Sequence, residues 1–469
     1  MRSESRAHDF TFAARRPTGL GRQTAYWLSA IPVACLASFL ALTLVTLADA
    51  GRLVPLSTIS ILQAIPLILL LYTVGIILVS QLSSLPHCLG LFTAAFLLRI
   101  TVGITLALVF QYDDERKFHN AGLEQPYGLL SWGASRGYYS LVGVLYEVFG
   151  PSLLLPKVVN AFLGSLLPFL AYDIGQQIFN SHKSGWNAFL FTAFLPPLVI
   201  YSAMNLKEII TAFLITYTVW SLIVQHRSPI VKIVGVALSI SILYWLRGSP
   251  WTVILLAGVF TYIIIGETWR IRSSRILQFL PNLSLSGFLI AFAVAFLIDP
   301  IRETALSRLT EETYFIERFE DSSATVMQFV DTSNPLSFKN LIVLFFRGLY
   351  TPAPFRFLFD YNLSTMIEAS IMVVWYLLCP FALVGFLVER HKGAVMACGI
   401  LILGVLMVTT MGIMVGSNPY RHRMSVMGLV LTLAGGGVTR EPHCGKRWAF
   451  GLWWLGALLF MAVWLVYRI

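Results

Sequence analysis

The chain runs to 469 residues, of which 57% are hydrophobic and 12% charged, about half the charged share of an average soluble domain. Apolar stretches recur almost from end to end instead of dividing into roughly three domains joined by polar linkers, which excludes a soluble enzyme and a disordered scaffold. The balance of 33 basic against 23 acidic residues, +10 overall, fits the Lys- and Arg-rich cytoplasmic loops of a polytopic membrane protein and calls for no nucleic-acid partner.

In chain order, an Arg-rich cytoplasmic N-terminus (residues 1–23, with Arg2, Arg6, Arg15, Arg16 and Arg22) precedes a single multi-pass membrane domain over residues 24–469. The first apolar run is too long for a signal-peptide core and is followed by no clear cleavage site. At about 20 apolar residues per crossing, the chain reads as all-α with about 13 transmembrane helices. These are expected near Thr24–Val45, Leu56–Val79, Cys88–Phe110, Leu153–Phe179, Trp186–Ser202, Glu208–Val224 and Ile230–Leu246. The rest are expected near Trp251–Ile265, Leu283–Ile298, Met366–Val388, Ala394–Val415, Met424–Val438 and Trp448–Tyr467. Threaded from a cytoplasmic N-terminus, Lys183, Arg227, Lys232, Arg270, Arg272, Arg275, Arg390, Lys392, Arg440, Lys446 and Arg447 all fall on the cytoplasmic side, as the positive-inside rule requires. Two long loops, residues 111–152 and 299–365, then face the extracytoplasmic side. The second opens with a stretch, residues 301–319, that reads as an amphipathic surface helix. Of the five cysteines, Cys35, Cys88, Cys379 and Cys398 lie in or beside apolar runs and Cys444 in a basic loop. No CxxC or His/Cys cluster suggests a disulfide framework or a zinc site.

The first loop opens with Tyr112-Asp113-Asp114-Glu115-Arg116-Lys117-Phe118-His119. Three consecutive acids at the mouth of a span are unusual in so charge-poor a chain. A carboxylate beside a low-dielectric cavity can accept a proton from a hydroxyl nucleophile, or bind a divalent metal ion through oxygen; the alternative is a solvated loop start. Arg99 lies inside the third span, where an ionisable group faces protein or a water-filled cavity, and is expected to pair structurally with a carboxylate. His119 and His422 read as ligands or bases, or more simply as interfacial histidines.

Further on come Gly137-Tyr138-Tyr139-Ser140-Leu141, Leu145-Tyr146-Glu147, then Lys157, Asn160, Gly164, Tyr172-Asp173, and Pro196-Pro197 running through Tyr201-Ser202-Ala203-Met204-Asn205-Leu206 to Lys207-Glu208. This order resembles the multi-pass glycosyltransferases of the GT-C fold, most of all the protein O-mannosyltransferases and lipid A aminoarabinose transferases. The resemblance spans roughly residues 112–227, with an echo in Asn418-Pro419-Tyr420-Arg421-His422-Arg423-Met424. In much of that family the acidic loop follows the first span and here it follows the third, a difference that two additional N-terminal helices, a divergent subfamily or a chance Asp-Asp-Glu would each explain.

The resemblance implies an inverting transfer of a sugar from a polyprenyl-phosphate-linked donor to a hydroxyl of a glycan, lipid or protein acceptor. The transfer would take place on the outer face of a bacterial inner membrane, in cell-surface polysaccharide synthesis. The family's acidic pair falls on Asp113 and Asp114, either as general base, with Glu115 as an alternate. Its Lys-Glu falls on Lys207, to hold the carrier phosphate, and Glu208, to position it. Arg421 and Arg423 carry guanidinium forks matched to phosphate oxygens; Arg347, Arg356, Arg136 and Arg247 are lesser candidates. Two rival functions use similar features: a polymerase or ligase acting on polyprenyl-diphosphate-linked oligosaccharide, and a lipid-linked sugar flippase or transporter. Transporters carry broken helices and ionisable groups near mid-membrane, whereas most acids here cluster in the extracytoplasmic loops.

Overall fold

The computed structural model describes residues 58–82, 85, 87–109, 113–124, 136–223, 229–270, 345–346, 348–350, 363–414, 419–440 and 448–468. The expected spans near Thr24–Val45 and Leu283–Ile298, and the amphipathic stretch at residues 301–319, lie outside them. All regular structure among the described residues is helical: α1 (Thr58–Leu82), α2 (Cys88–Val109), α3 (Asp113–Glu124), α4 (Arg136–Phe149), α5 (Leu154–Phe179), α6 (His182–Phe194), α7 (Pro196–Ser202), α8 (Glu208–Ile223), α9 (Pro229–Arg247), α10 (Ser249–Arg270), α11 (Leu363–Glu389), α12 (Gly393–Met414), α13 (Pro419–Met424), α14 (Met427–Arg440) and α15 (Trp448–Arg468). Six of the helices, α1, α2, α5, α9, α11 and α12, are long and apolar enough to cross a membrane.

Burial separates the helices by role. In the most apolar window of α5, 83% of residues are buried; in that of α1, only 17% are. A helix apolar on every side belongs inside a bundle or against lipid. Here α5 is the hub, touching α1, α2, α6, α8 and α14. The leucines and isoleucines that α1, α9 and α15 turn outward, such as Leu69, Ile233 and Leu458, fit a surrounding bilayer.

The run expected as one span over Trp186–Ser202 is two helices, α6 and α7. They meet at Leu195, whose backbone is extended (φ −70°, ψ 137°). The residue before a proline is pushed out of the helical region, and Pro196 and Pro197 start α7 instead. The break has a cost at the carbonyl side. The helical partners of the Thr192 and Ala193 carbonyls would be the amides of residues 196 and 197, and proline has no N–H. Arg99 of α2 fills both gaps: its Nη2 donates to Thr192 O at 3.1 Å and its Nη1 to Ala193 O at 3.0 Å, with a further bond to Ala95 O. The expectation that Arg99 pairs with a carboxylate is therefore corrected, because its recorded partners are backbone carbonyls. Arg99→Met should lower the melting temperature in detergent, since each orphaned buried carbonyl costs about 1–3 kcal/mol. Adding Pro196→Ala and Pro197→Ala, which restores both N–H groups, should recover part of the loss. A melting curve unchanged by Arg99→Met would contradict this role.

Similarly, the span expected from Met424 is preceded by the short α13 and begins at Met427. Where α14 crosses its neighbours, Gly435 and Gly437 let backbones approach, and Gly436 makes room for the Phe179 ring of α5. A Cβ at Gly437 would overlap the Phe381 carbonyl of α11, and one at Gly435 would lie 2.6 Å from the Ala188 amide of α6. Small residues serve helix packing in membranes in this way.

The bundle has two polar ends. At one, the C-termini of α5, α11 and α14 converge. Arg440 donates to Phe179 O at 3.1 Å, Lys392 donates to Ile178 O, and both pair with Glu389 (3.5 and 3.0 Å). Basic side chains capping last-turn carbonyls are favourable there. The other end lies at the N-terminus of the 26-residue α5, about 39 Å away at 1.5 Å per residue.

Candidate functional site

The second polar end gathers most of the residues singled out by sequence. Instead of an open loop, residues 113–124 form α3, whose first-turn acids suit a helix N-terminus. Consecutive residues on a helix point about 100° apart, so the acids part company. Glu115 shares the inward face with Phe118 and Gly122, at i, i+3 and i+7; both Glu115 and Phe118 are buried, and Gly122 abuts Val142 of α4. Asp114 points instead toward α13. Asp113 opens the helix, and its side chain lies outside the described residues.

Glu208 begins α8 and is almost wholly buried. Its Oε1 accepts from Arg421 Nη2 at 3.3 Å and forms an ion pair with Arg247 Nη2 at 3.2 Å. The other Arg421 nitrogen, Nη1, pairs with Asp114 Oδ2, so one guanidinium bridges the two carboxylates. The second Asp114 oxygen is 3.8 Å from Lys117 Nζ. Arg247, ranked low by sequence, is therefore central. It is the last residue of α9, Gly248 behind it takes the left-handed conformation (φ +82°) that turns the chain into α10, and Trp251 then lies 4.6 Å under the Arg247 guanidinium. Arg247 Nε also donates to Thr211 Oγ1, one turn beyond Glu208, at 3.2 Å. His422 lies beside Trp251, with ring centroids 6.2 Å apart and the planes tilted by 37°.

The electrostatics favour an anion. Lys207, Arg247 and Arg421 act together on the Glu208 carboxylate, and the charges of Glu208 and Asp114 are both felt at Lys207. Burial, reinforced by the Arg247 cation, pulls the Lys207 ammonium down to about 7. The same two causes pull His422 down to about 3, so its imidazole is neutral. Among the described residues of this cluster, Lys207, Arg247 and Arg421 stand against Glu208 and Asp114, a positive balance that a bound anion would relieve.

Two expected members do not join this cluster. Arg423 stands two residues from Arg421, on the opposite face of a short helix. It is buried against α11, donating to Leu349 O at 3.0 Å and lying 5.1 Å over the Trp375 ring. Glu115 pairs with Lys157 of α5 at 2.8 Å, both side chains buried. The side chains of Arg136, Arg347 and Arg356 lie outside the described residues. His119 Nδ1 is 2.7 Å from the Tyr146 hydroxyl, which ties α3 to α4. Sequence reasoning passed over Trp251; an aromatic four residues after an arginine, across a glycine turn, is the signal that would have found it.

An apolar cavity of about 280 Å³ lies between α11, α12, α14 and α15, walled by Leu349, Trp375, Phe386, Leu403 and Trp453. It reaches the tryptophan on which Arg423 stacks. Among the described residues no group of three or more His, Cys, Asp or Glu converges as metal ligands. The two carboxylates that do meet already give oxygens to Arg421, an arrangement that does not fit a divalent cation. No family model, curated protein or solved structure matches this chain, so its geometry carries the functional reading.

Proposed function

We propose that this protein is a membrane glycosyltransferase. It moves a sugar from a polyprenyl-phosphate-linked donor to a hydroxyl acceptor on the extracytoplasmic face, in the synthesis of cell-surface glycan. The observation that supports this reading is the cluster of Lys207, Arg247 and Arg421 around Glu208, with Asp114 at its edge. The cations hold the phosphate group; as the bond between the anomeric carbon and phosphate oxygen breaks, they take up the charge left on the departing polyprenyl phosphate. The acceptor oxygen bonds to the anomeric carbon from the opposite side, and its proton passes to a carboxylate of α3, Asp114 or its neighbour Asp113. Glu208 orients the two guanidinium groups. The apolar cavity beside Arg423 offers room for part of the isoprenoid tail.

Mass spectrometry of glycolipids and surface polysaccharide from cells with and without the gene should show a lost sugar modification. An unchanged glycan profile beside an altered transport phenotype would overturn the reading in favour of a flippase. The site also predicts a pH dependence. Lys207 is charged below about 7 and neutral above it, so affinity for an isoprenyl phosphodiester, whose own charge is constant, should rise as pH falls from 8 to 6. Lys207→Met should flatten that profile, because His422 stays neutral throughout the range.

A further inference from the structure

Lys207 and Glu208 reach the site from a turn, residues 203–207, that forms few bonds of its own. Side chains from three other helices hold it in place. Asn205 N donates to Glu115 Oε1 of α3 at 2.5 Å, and its Nδ2 contacts the Glu115 carbonyl at 3.5 Å. The Tyr138 hydroxyl of α4 donates to Asn205 Oδ1 at 2.8 Å. Asn160 Nδ2 of α5 donates to both Met204 O and Leu206 O at 2.7 Å. Burial pushes the Tyr138 phenol well above its ordinary range, so it remains a donor. Glu115 also takes the ion pair from Lys157, and its sequence neighbour is Asp114.

We propose that Glu115, Lys157 and Asn205 are positioning residues, which set the placement of Lys207 and Glu208 relative to Asp114 and Arg421 without touching the ligand. Glu115 is adjacent in sequence to the carboxylate of α3 at the site, and Asn205 lies two residues before the lysine. Their bond therefore fixes the spacing between base and phosphate holder across an interval of some 90 residues of chain. The alternative, that the pair serves only to stabilise the fold, is weak on physical grounds: burying two charges costs about as much as their attraction returns, and apolar replacements of similar volume are commonly neutral.

This inference rests on the phosphate-binding reading above, and two double variants test it. Glu115→Leu with Lys157→Met removes both charges and the acceptor for the Asn205 amide. Glu115→Gln with Lys157→Met removes the same charges but keeps an amide oxygen facing Asn205. Both should fold, the Leu/Met variant melting lower than the Gln/Met variant because it orphans the buried Asn205 amide, so binding is compared on protein of matched folded content. Binding of a short-chain isoprenyl phosphodiester, measured by calorimetry, should weaken at least about tenfold in the Leu/Met variant, as expected for loss of a hydrogen bond to a charged acceptor, and stay within about threefold in the Gln/Met variant. The pH dependence through 7 should be lost or displaced in the first and kept in the second. If both variants bind like wild type, or weaken equally, the positioning role is overturned while the phosphate reading stands. If the wild-type protein itself does not bind the phosphodiester, the phosphate reading falls and this inference falls with it.

Discussion

Arg421→Ala should weaken use of the lipid-phosphate donor by roughly 30-fold to several-thousand-fold, because truncating one member of a desolvated, hydrogen-bonded charge cluster costs about 2–5 kcal/mol. Arg421 contacts both Asp114 and Glu208, so its loss also leaves those carboxylates to repel the donor phosphate. Arg421→Lys keeps the charge without the planar fork and should recover part of the loss. Arg423→Ala is the control. Its guanidinium serves Leu349 O and the Trp375 ring, so the variant should lose thermal stability while the folded fraction binds donor like wild type. Equal donor affinity in wild type and Arg421→Ala, measured on protein of matched folded content, would remove Arg421 from the site.

Asp114→Asn should lower turnover by about 10²–10⁴-fold, the usual worth of a general base. It should do so while strengthening binding of an isoprenyl phosphodiester. The two effects have one cause. In the ligand-free site Arg421 is held by Asp114, and an incoming phosphate must compete for that guanidinium; asparagine releases it and cannot accept the acceptor's proton. Slower chemistry with tighter anion binding therefore distinguishes a base from a residue that merely holds the donor. Asp113→Asn, made in parallel, decides between the two neighbours: the variant that loses turnover without losing donor affinity marks the base. Full activity in the Asp113, Asp114 double Asn variant would sink the assignment of α3 and leave Glu208 as the carboxylate to examine.

Particular residues show how far the chain could be read unaided. The helices at 58–82, 88–109, 154–179, 208–223, 363–389 and 393–414 lie within a few residues of their expected bounds, because about 20 apolar residues in a row have few other options. The split at Leu195 was also written in the chain, as Pro196-Pro197, and was read through because hydropathy alone is blind to missing N–H groups. The acids of residues 113–115 stand out in the chain as a group, with Asp113 and Asp114 as the pair and Glu115 as an alternate for the same role. Only with helical phase assigned do Asp114 and Glu115 fall on different faces and take different work, and the same phase separates Arg421 from Arg423.

The sequence by itself determined that the protein is helical and apolar, where the six helices long enough to cross a bilayer lie, and that its charged residues collect in a few short segments. Those are consequences of local composition and of the need to satisfy backbone groups within each helix. Tertiary structure alone decided which charges meet. Asp114, Glu208, Arg247 and Arg421 are separated by as many as 307 positions along the chain, and nothing local ties them together. The packing of α3, α8, α9 and α13 brings them to one end of the bundle. Buried charges persist only where partners converge on them, so the cluster exists because those four helices end at the same place.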